Sequence, residues 1–296
     1  MSILDIPETV PCQNQLGEGL LWDHRQNHFL WSDIKGKLLH ILPWGAERDI
    51  VLSLQDMLCS FGLTENPDIL IAAFTRSIEW LNIRTGETQL IRSFDLPPGI
   101  RMNDGRIGPD GAFYVGTMVE DKSQSDGKWG QLLRFASDGE PQVLLEGIHI
   151  SNGLCWSPDE RTMYHSDSPK QLVMRYHFDP QTGEIGHGEP YIKTEKGVPD
   201  GAVTSLDGHY LSALWDGSRV GIYDSNGNEV RSLPMPAPQV TIPCFGGPDL
   251  DILATASAWD GMVGDKRHPK MGNLFFTRPG LTGSPSEIFR GDTPHF

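Results

Sequence analysis

Glu18, Asp104, Asn152 and Asp200 share one local setting: each stands immediately before a glycine that opens an apolar, strand-like run. Carboxylate and amide oxygens are the donors that a hard divalent cation such as Ca²⁺, Mg²⁺ or Mn²⁺ takes. Several carboxylates crowded together without such an ion would repel one another and resist ionisation. The plainer alternative is local, since Asp and Asn at a strand entry also cap nearby backbone groups. The choice depends on whether the chain brings positions 18 to 200 to one place.

Other chemistries lack their residues. The sequence has no GxSxG nucleophile elbow, no HExxH and no Gly-rich phosphate loop. "DSNGNE" at 224–229 starts like a calcium loop of the EF-hand type. It puts Glu229 where the obligatory Gly belongs and Met235 where the bidentate Glu belongs, so it is expected to be a hairpin turn. His149 and His165 fall near strand ends and are expected to be structural. "WSD" and "AWD" lack the Gly-His partner of WD repeats.

The elements that must position the acids show as a repeat. "GLLWDHRQNHFLWSDI", "GLTENPDILIAAF", "GRIGPDGAFYVGTM", "GLCWSPDERTMYHSD", "GAVTSLDGHYLSAL" and "GGPDLDILATASAWD" align on Gly19, Gly62, Gly105, Gly153, Gly201 and Gly246, spaced 43 to 48 residues apart. That is close to the period of a four-stranded propeller blade. No stretch sustains a 3.6-residue apolar period, and two further strand-like runs complete each unit. The reading is an all-β protein: a six-bladed β-propeller filling residues 1–296 as a single domain. The N-terminal segment or the tail "SEIFRGDTPHF" would close the ring. In "RMNDGRIGPDG" the second Asp-Gly is then a hairpin turn, as are Pro158-Asp159 and Asp207-Gly208. The first Asp-Gly opens an inner strand. The residues before the six glycines, Glu18, Phe61, Asp104, Asn152, Asp200 and Phe245, would ring one mouth of the central channel, and a divalent metal site is expected there.

Bulk properties set limits. A net charge of −15 argues against nucleic acid and anionic membrane surfaces as partners. The longest apolar run, "ILIAAF", is too short to span a bilayer. "MSILDIPETV" lacks a basic segment followed by an apolar one, and Cys12, Cys59, Cys155 and Cys244 show no CxxC spacing. Reduced thiols in a cytoplasmic protein, as a monomer or weak homo-oligomer, are expected.

"LGEGLLWD", "RMNDGRIGPDGAFYVGTMVED", "SNGLCWSPD" and "PDGAVTSLDG" together resemble the SMP-30/gluconolactonase/regucalcin-like sugar lactonases over essentially the whole chain. The resemblance implies a six-bladed propeller with one divalent ion in the channel, held by Glu18, Asn152 and Asp200. It implies that Arg101, Asn103 and Glu120 hold the substrate. Leu20, where the family often has Pro, and the polar insertion "DKSQSDGKW" at 121–129, a solvated loop or a lid, are the departures. The implied reaction is hydrolysis of an aldonolactone, such as gluconolactone, galactonolactone or arabinonolactone, to the open-chain acid. A metal would polarise the carbonyl and activate water, and Asp200 would be the catalytic residue. The implied ion is Ca²⁺ first, with Zn²⁺, Mn²⁺, Mg²⁺ or Fe²⁺ as alternatives. Alternative readings are a calcium-binding regulatory propeller without catalysis and a hydrolase of other activated esters.

Overall fold

The computed structural model describes residues 8–137, 140–294 and 296; residues 1–7, 138–139 and 295 lie outside the described part. Short apolar runs bounded by turn formers fold as antiparallel four-strand meanders. The first comprises Gly17–Asp23, His28–Asp33, Leu38–Pro43 and Ile50–Ser53. The second is Ser60–Thr64, Ile69–Ala73, Ser77–Asn82 and Thr88–Ser93. Ile100–Ile107, Phe113–Val119, Gly130–Phe135 and Gln142–Ile148 make the third. Ser151–Trp156, Thr162–Asp167, Leu172–Phe178 and Ile185–Lys193 make the fourth.

The remaining strands, apart from Ile288–Phe289, form one eight-stranded sheet that includes Thr9–Val10. In it a meander of Val198–Thr204, Tyr210–Trp215, Arg219–Tyr223 and Glu229–Pro234 meets the run Gln239–Gly246, Ile252–Ala258 and Leu274–Thr277 through one residue pair, Trp215 with Gln239. Among the described residues the only helical piece is the 3₁₀ turn Ser168–Lys170. The first strands of successive units lie side by side, and that of the last unit returns against that of the first. The result is an all-β, propeller-like fold.

Burial falls off outward from that ring. First strands such as Ser151–Trp156 and second strands such as Ile252–Ala258 are wholly buried, whereas Thr88–Ser93 and Glu229–Pro234 are largely exposed. Strands covered on both faces read as near-continuous apolar runs, which is why the inner strands carry the strongest sequence signal. Between neighbouring sheets the core interdigitates. Trp22, Phe29, Ile242 and Phe276 form one such layer, with the Trp22 and Phe29 rings 4.7 Å apart. Each side chain of this kind contributes about 1.5–3 kcal/mol through burial.

Thr9–Val10 pairs antiparallel with Leu274–Thr277, so of the two expected ring closures the N-terminal segment is the one used. The tail goes elsewhere. Ile288–Phe289 runs parallel to Ser60–Thr64, with Ile288 beside Leu63. The chain from 279 onward crosses the face that carries the hairpin turns, on both sides of that strand. Leu206 N–H donates to the Thr282 carbonyl, Ser286 Oγ to the Trp22 carbonyl and Arg290 N–H to the Gly111 carbonyl. The C-terminal segment is therefore a strap that ties several sheets together. The turns fall as expected: Pro109-Asp110-Gly111, Pro158-Asp159 and Asp207-Gly208 each join a first strand to a second. Asp224 accepts from the N–H groups of Asn226 and Asn228, a hairpin turn.

Candidate functional site

Five of the first strands carry a β-bulge near their start, and the site residues sit on four of these bulges. Register shifts fall between Glu18 and Leu21, Met102 and Gly105, Asn152 and Cys155, Pro199 and Ala202, and Val240 and Pro243. A bulge sets two residues against one and re-aims the local side chains. The alignment on glycines proves to hide two kinds. Gly19 and Gly153 have φ of 62° and 66°, and the functional side chain precedes the bulge, at Glu18 and Asn152. Gly105 and Gly201 have no positive φ; Asn103-Asp104 and Asp200-Gly201 are themselves the extra residues. Gly201 is required for space instead, since a Cβ there would lie 2.6 Å from Ile242 Cβ. The sixth unit is out of phase with the sequence alignment. Its bulge lies at Thr241-Ile242, so Gly246 is at the strand's far end, and Phe245 packs in the core rather than in the ring.

Arg101, Asn103, Glu120, Asn152 and the approach to Asp200 are joined by one hydrogen-bond chain. Arg101 Nε donates to Glu120 Oε1 at 2.9 Å, and its Nη1 donates to Asn103 Oδ1 at 3.1 Å. Asn103 Nδ2 donates to Asn152 Oδ1 at 3.0 Å, Asn152 Nδ2 to Ser168 Oγ at 2.9 Å, and Ser168 Oγ to the Pro199 carbonyl at 2.6 Å. Three units are thus pinned in register around the axis. Arg101, Asn103, Asn152 and Asp200 are buried, while the Glu120 side chain is 39 % exposed and marks the opening to solvent. Among the described residues, Nη2 of Arg101 has no protein acceptor.

The acids are electrostatically one group. Burial and the charges of Asp200 and Asp104 push Glu18 well above the usual carboxylate range. Burial and Asp104 do the same to Asp200. Asp104 is raised by burial too, against the opposing charge of Arg106, and accepts from the Leu154 N–H at 3.3 Å. Backbone N–H groups of Gly19 and Gly201 are the hydrogen bonds that favour the charged forms of Glu18 and Asp200. Buried carboxylates relieved so little are the situation a bound cation remedies. Among the described residues no three His, Cys, Asp or Glu side chains form a ready-made metal cluster. Glu18, Asn152 and Asp200, two carboxylates and an amide, are a different composition, and all three are oxygen donors.

Sequence reasoning missed some neighbours. Ser168, brought in by the 3₁₀ turn after Asp167, is the link between Asn152 and the strand of Asp200; "DSP" signals a turn but not that contact. Cys59 lies against Arg101 Nη1 at 3.8 Å, its thiol pushed up to about 11 by burial despite that cation. His165 is structural as expected: it is buried, bonded through Nε2 to Ser151 Oγ at 2.8 Å, and pushed down to about 4 by burial. His149 packs edge-on against Trp129, ring centres 4.1 Å apart, at the base of the 121–129 loop. That loop follows Phe113–Val119 and so stands at the same mouth as Arg101. Asp121 orders it, accepting from the backbone and hydroxyl of Ser123. All four cysteines are free thiols.

Comparison with known proteins places these features in a group. The family model described as SMP-30/Gluconolactonase/LRE-like region matches residues 16–259. A 6-deoxy-6-sulfogluconolactonase from Pseudomonas putida is 32% identical, covering 96% of this chain and 99% of the relative. A regucalcin from Gallus gallus is 32% identical over 94% of this chain and 95% of its own length. The solved structure of a regucalcin from Agrobacterium tumefaciens, described as a calcium-binding protein, superposes with a TM-score of 0.88 at 30% identity. It covers 96% of this chain and 98% of that one.

Proposed function

The chain belongs to the SMP-30/gluconolactonase/LRE-like family, and from that premise we propose that it is a carboxylic ester hydrolase that opens a sugar lactone. In this reading the fold is one six-bladed propeller domain. The eight-stranded sheet counts as two blades touching through Trp215 and Gln239. No described helix is long and apolar enough to cross a membrane, which suits a small polar substrate. The observation that carries the reading is the hydrogen-bond chain from Glu120 through Arg101, Asn103 and Asn152 to Ser168. It sets substrate-type donors and acceptors directly beside oxygen donors fit for a metal.

Glu18, Asn152 and Asp200 would hold one divalent ion, and their all-oxygen character favours Ca²⁺, Mg²⁺ or Mn²⁺ over Zn²⁺ or Fe²⁺, with Ca²⁺ the first choice. Such an ion supplies polarisation of the lactone carbonyl and acidification of a water. The chain's own residues do the rest. Arg101, with Nη2 free to donate, takes the developing negative charge on the carbonyl oxygen. Asn103 and Glu120 bind ring hydroxyls as acceptors, Asn103 through Oδ1 because its two N–H donors are taken by the Ser151 carbonyl and Asn152 Oδ1, and Glu120 through its carboxylate. A carboxylate oxygen of Asp200, buried at the channel mouth, takes the proton of the attacking water. Water adds to the carbonyl carbon, the ring C–O bond breaks, and the leaving oxygen is protonated, giving the open-chain aldonic acid.

The test is a pH-indicator assay over pentono- and hexonolactones. Exhaustive chelation should abolish turnover and one divalent ion should restore it. Full activity in rigorously metal-free protein overturns the metal's role. Calcium binding without turnover of any lactone would favour the regulatory reading suggested by the regucalcin relatives.

A further inference from the structure

The channel has a second mouth, on the side of the hairpin turns. A cavity of about 170 Å³ lies there, separated from the acids by the bulges and roofed by Ser284–Glu287 of the C-terminal strap. Leu21, Phe61, Ile107 and Trp156 give it mostly apolar walls, and one cation, Arg106, lines it. Arg106 is half-buried, and among the described residues its guanidinium has no hydrogen-bond acceptor or ion-pair partner. Arg25, Arg76, Arg134 and Arg219, buried to a similar degree, each donate to a carboxylate or a carbonyl. Arg48 and Arg161, which also lack partners, are exposed. A guanidinium carries five N–H donors in a fork that fits a carboxylate, and the Arg106 nitrogens, without protein acceptors among the described residues and not sealed off from solvent, are open to one. Its charge reaches Asp104 of its own strand, Cys155 of the fourth unit and Cys244 of the last, which locates it toward the axis of the channel rather than out at the rim, with no direct ion pair to Asp104.

We propose that this second cavity binds a small organic monocarboxylate with an apolar body, its carboxylate on the Arg106 guanidinium and its body against Leu21, Phe61, Ile107 and Trp156. A polyol such as the lactone or its aldonic acid does not suit these walls, because its hydroxyls would face carbon on most sides. Glu160 and Glu287, both exposed at the outer rim of the cavity, oppose any anion and a dianion more than a monoanion, so a single carboxylate is the better match to the one guanidinium. The cavity is distinct from the site of Arg101 and Asp200, and the proposal does not rest on the lactonase reading.

Isothermal titration of the full-length protein with benzoate, and with benzyl alcohol as the uncharged body, tests it. Benzoate should bind at one per chain and the alcohol on the order of tenfold more weakly, the worth of a charge-assisted pair. Arg106→Gln should weaken benzoate by a similar factor. Ser284→Trp, on the strap and away from the inner strands, should block the cavity while circular dichroism and Tm stay as in the wild type. A saturating sugar lactone should leave benzoate affinity unchanged. Absence of benzoate binding, wild-type affinity in either variant, or competition by the lactone would each overturn the proposal; because no turnover is measured, none of these outcomes bears on lactone hydrolysis.

Discussion

Gly17–Asp23 and Ser60–Thr64 hold equivalent places in neighbouring sheets, and each has a glycine in mid-strand, yet only the first is bulged. In the second, Ser60, Phe61, Gly62 and Leu63 pair one for one with Ala73, Ala72, Ile71 and Leu70. The contrast follows from what each glycine does. Gly19, with φ of 62°, lets the backbone turn so that an acid precedes the kink. Gly62 has no positive φ and makes room, since a Cβ on it would come within 2.4 Å of Ile107 Cδ1. The unbulged strand contributes Phe61, 2% exposed, to the wall between site and second cavity. A bulge thus lets an inner strand turn a polar side chain toward the channel mouth, as at Glu18, although the bulge at Thr241-Ile242 carries no acid.

The largest effect that tests this contrast is expected at Asp200, which sits within a bulge. Asp200→Asn keeps an oxygen and nearly the same volume but cannot accept the water's proton. At saturating metal, kcat should fall roughly 10²- to 10⁴-fold, with weaker metal binding as a separate readout. Near-normal kcat in the metal-loaded variant would leave Asp200 a ligand or a cap, because Asn caps as well as Asp. Next comes Arg101, just ahead of its strand's bulge. Arg101→Ala should cost on the order of 2 to 4 kcal/mol in kcat/KM, while metal content stays normal. If the loss appears only as unfolding, or not at all, the substrate role goes unsupported.

Smaller effects separate the two glycines themselves. Gly19→Ala forces a Cβ into a left-handed backbone and to 3.0 Å from the Phe61 ring. It should cost about 1 to 2 kcal/mol and weaken metal retention, because Glu18 moves with the bulge. Gly62→Ala should cost stability by overpacking, about 1 to 3 kcal/mol, and leave metal affinity as it was. Equal metal loss in both variants would break the distinction.

The smallest test concerns what stands behind a bulge. His165 lies opposite the Gly153–Leu154 kink. Its folded value of about 4 is below the ordinary 6.5 because burial disfavours the cation. Between about 6.5 and about 4 the unfolded chain therefore binds a proton there that the folded chain does not, and stability falls as pH drops through that window. His165→Asn should remove this part of the slope, so its Tm deficit against wild type should narrow as pH falls from 7 to 4. A constant deficit would mean that His165 does not titrate on unfolding.

The period of the repeat was legible because the inner strands are buried on both faces and each carries a glycine. That put Glu18, Asp104, Asn152 and Asp200 on a common end before any coordinates. The phase was less legible. Gly19 and Gly201 look alike in sequence, but one is required for its φ and the other for its lack of a Cβ, which shifts the site residue by one place. At Gly246-Gly247 the pair marks the end of a strand instead of its start, so the last unit was set out of phase. Ser168 and Cys59 reach the site by tertiary contact alone, with no local pattern to announce them. The tail's parallel pairing with Ser60–Thr64 likewise depends on a partner more than 200 residues away, beyond what local propensity encodes.

Ring closure through Thr9–Val10 and Leu274–Thr277 sets an order of events during biosynthesis. The first sheet leaves the ribosome early, but the partners of Trp22 and Phe29 across the seam, Ile242 and Phe276, are made more than 200 residues later. At about 5–20 residues per second, that aromatic face waits on the order of 10 to 50 seconds for its cover. An incomplete chain is therefore adhesive at both ends of an open ring. Truncation before residue 274 should yield a nascent product that binds chaperones or aggregates, rather than a smaller working propeller.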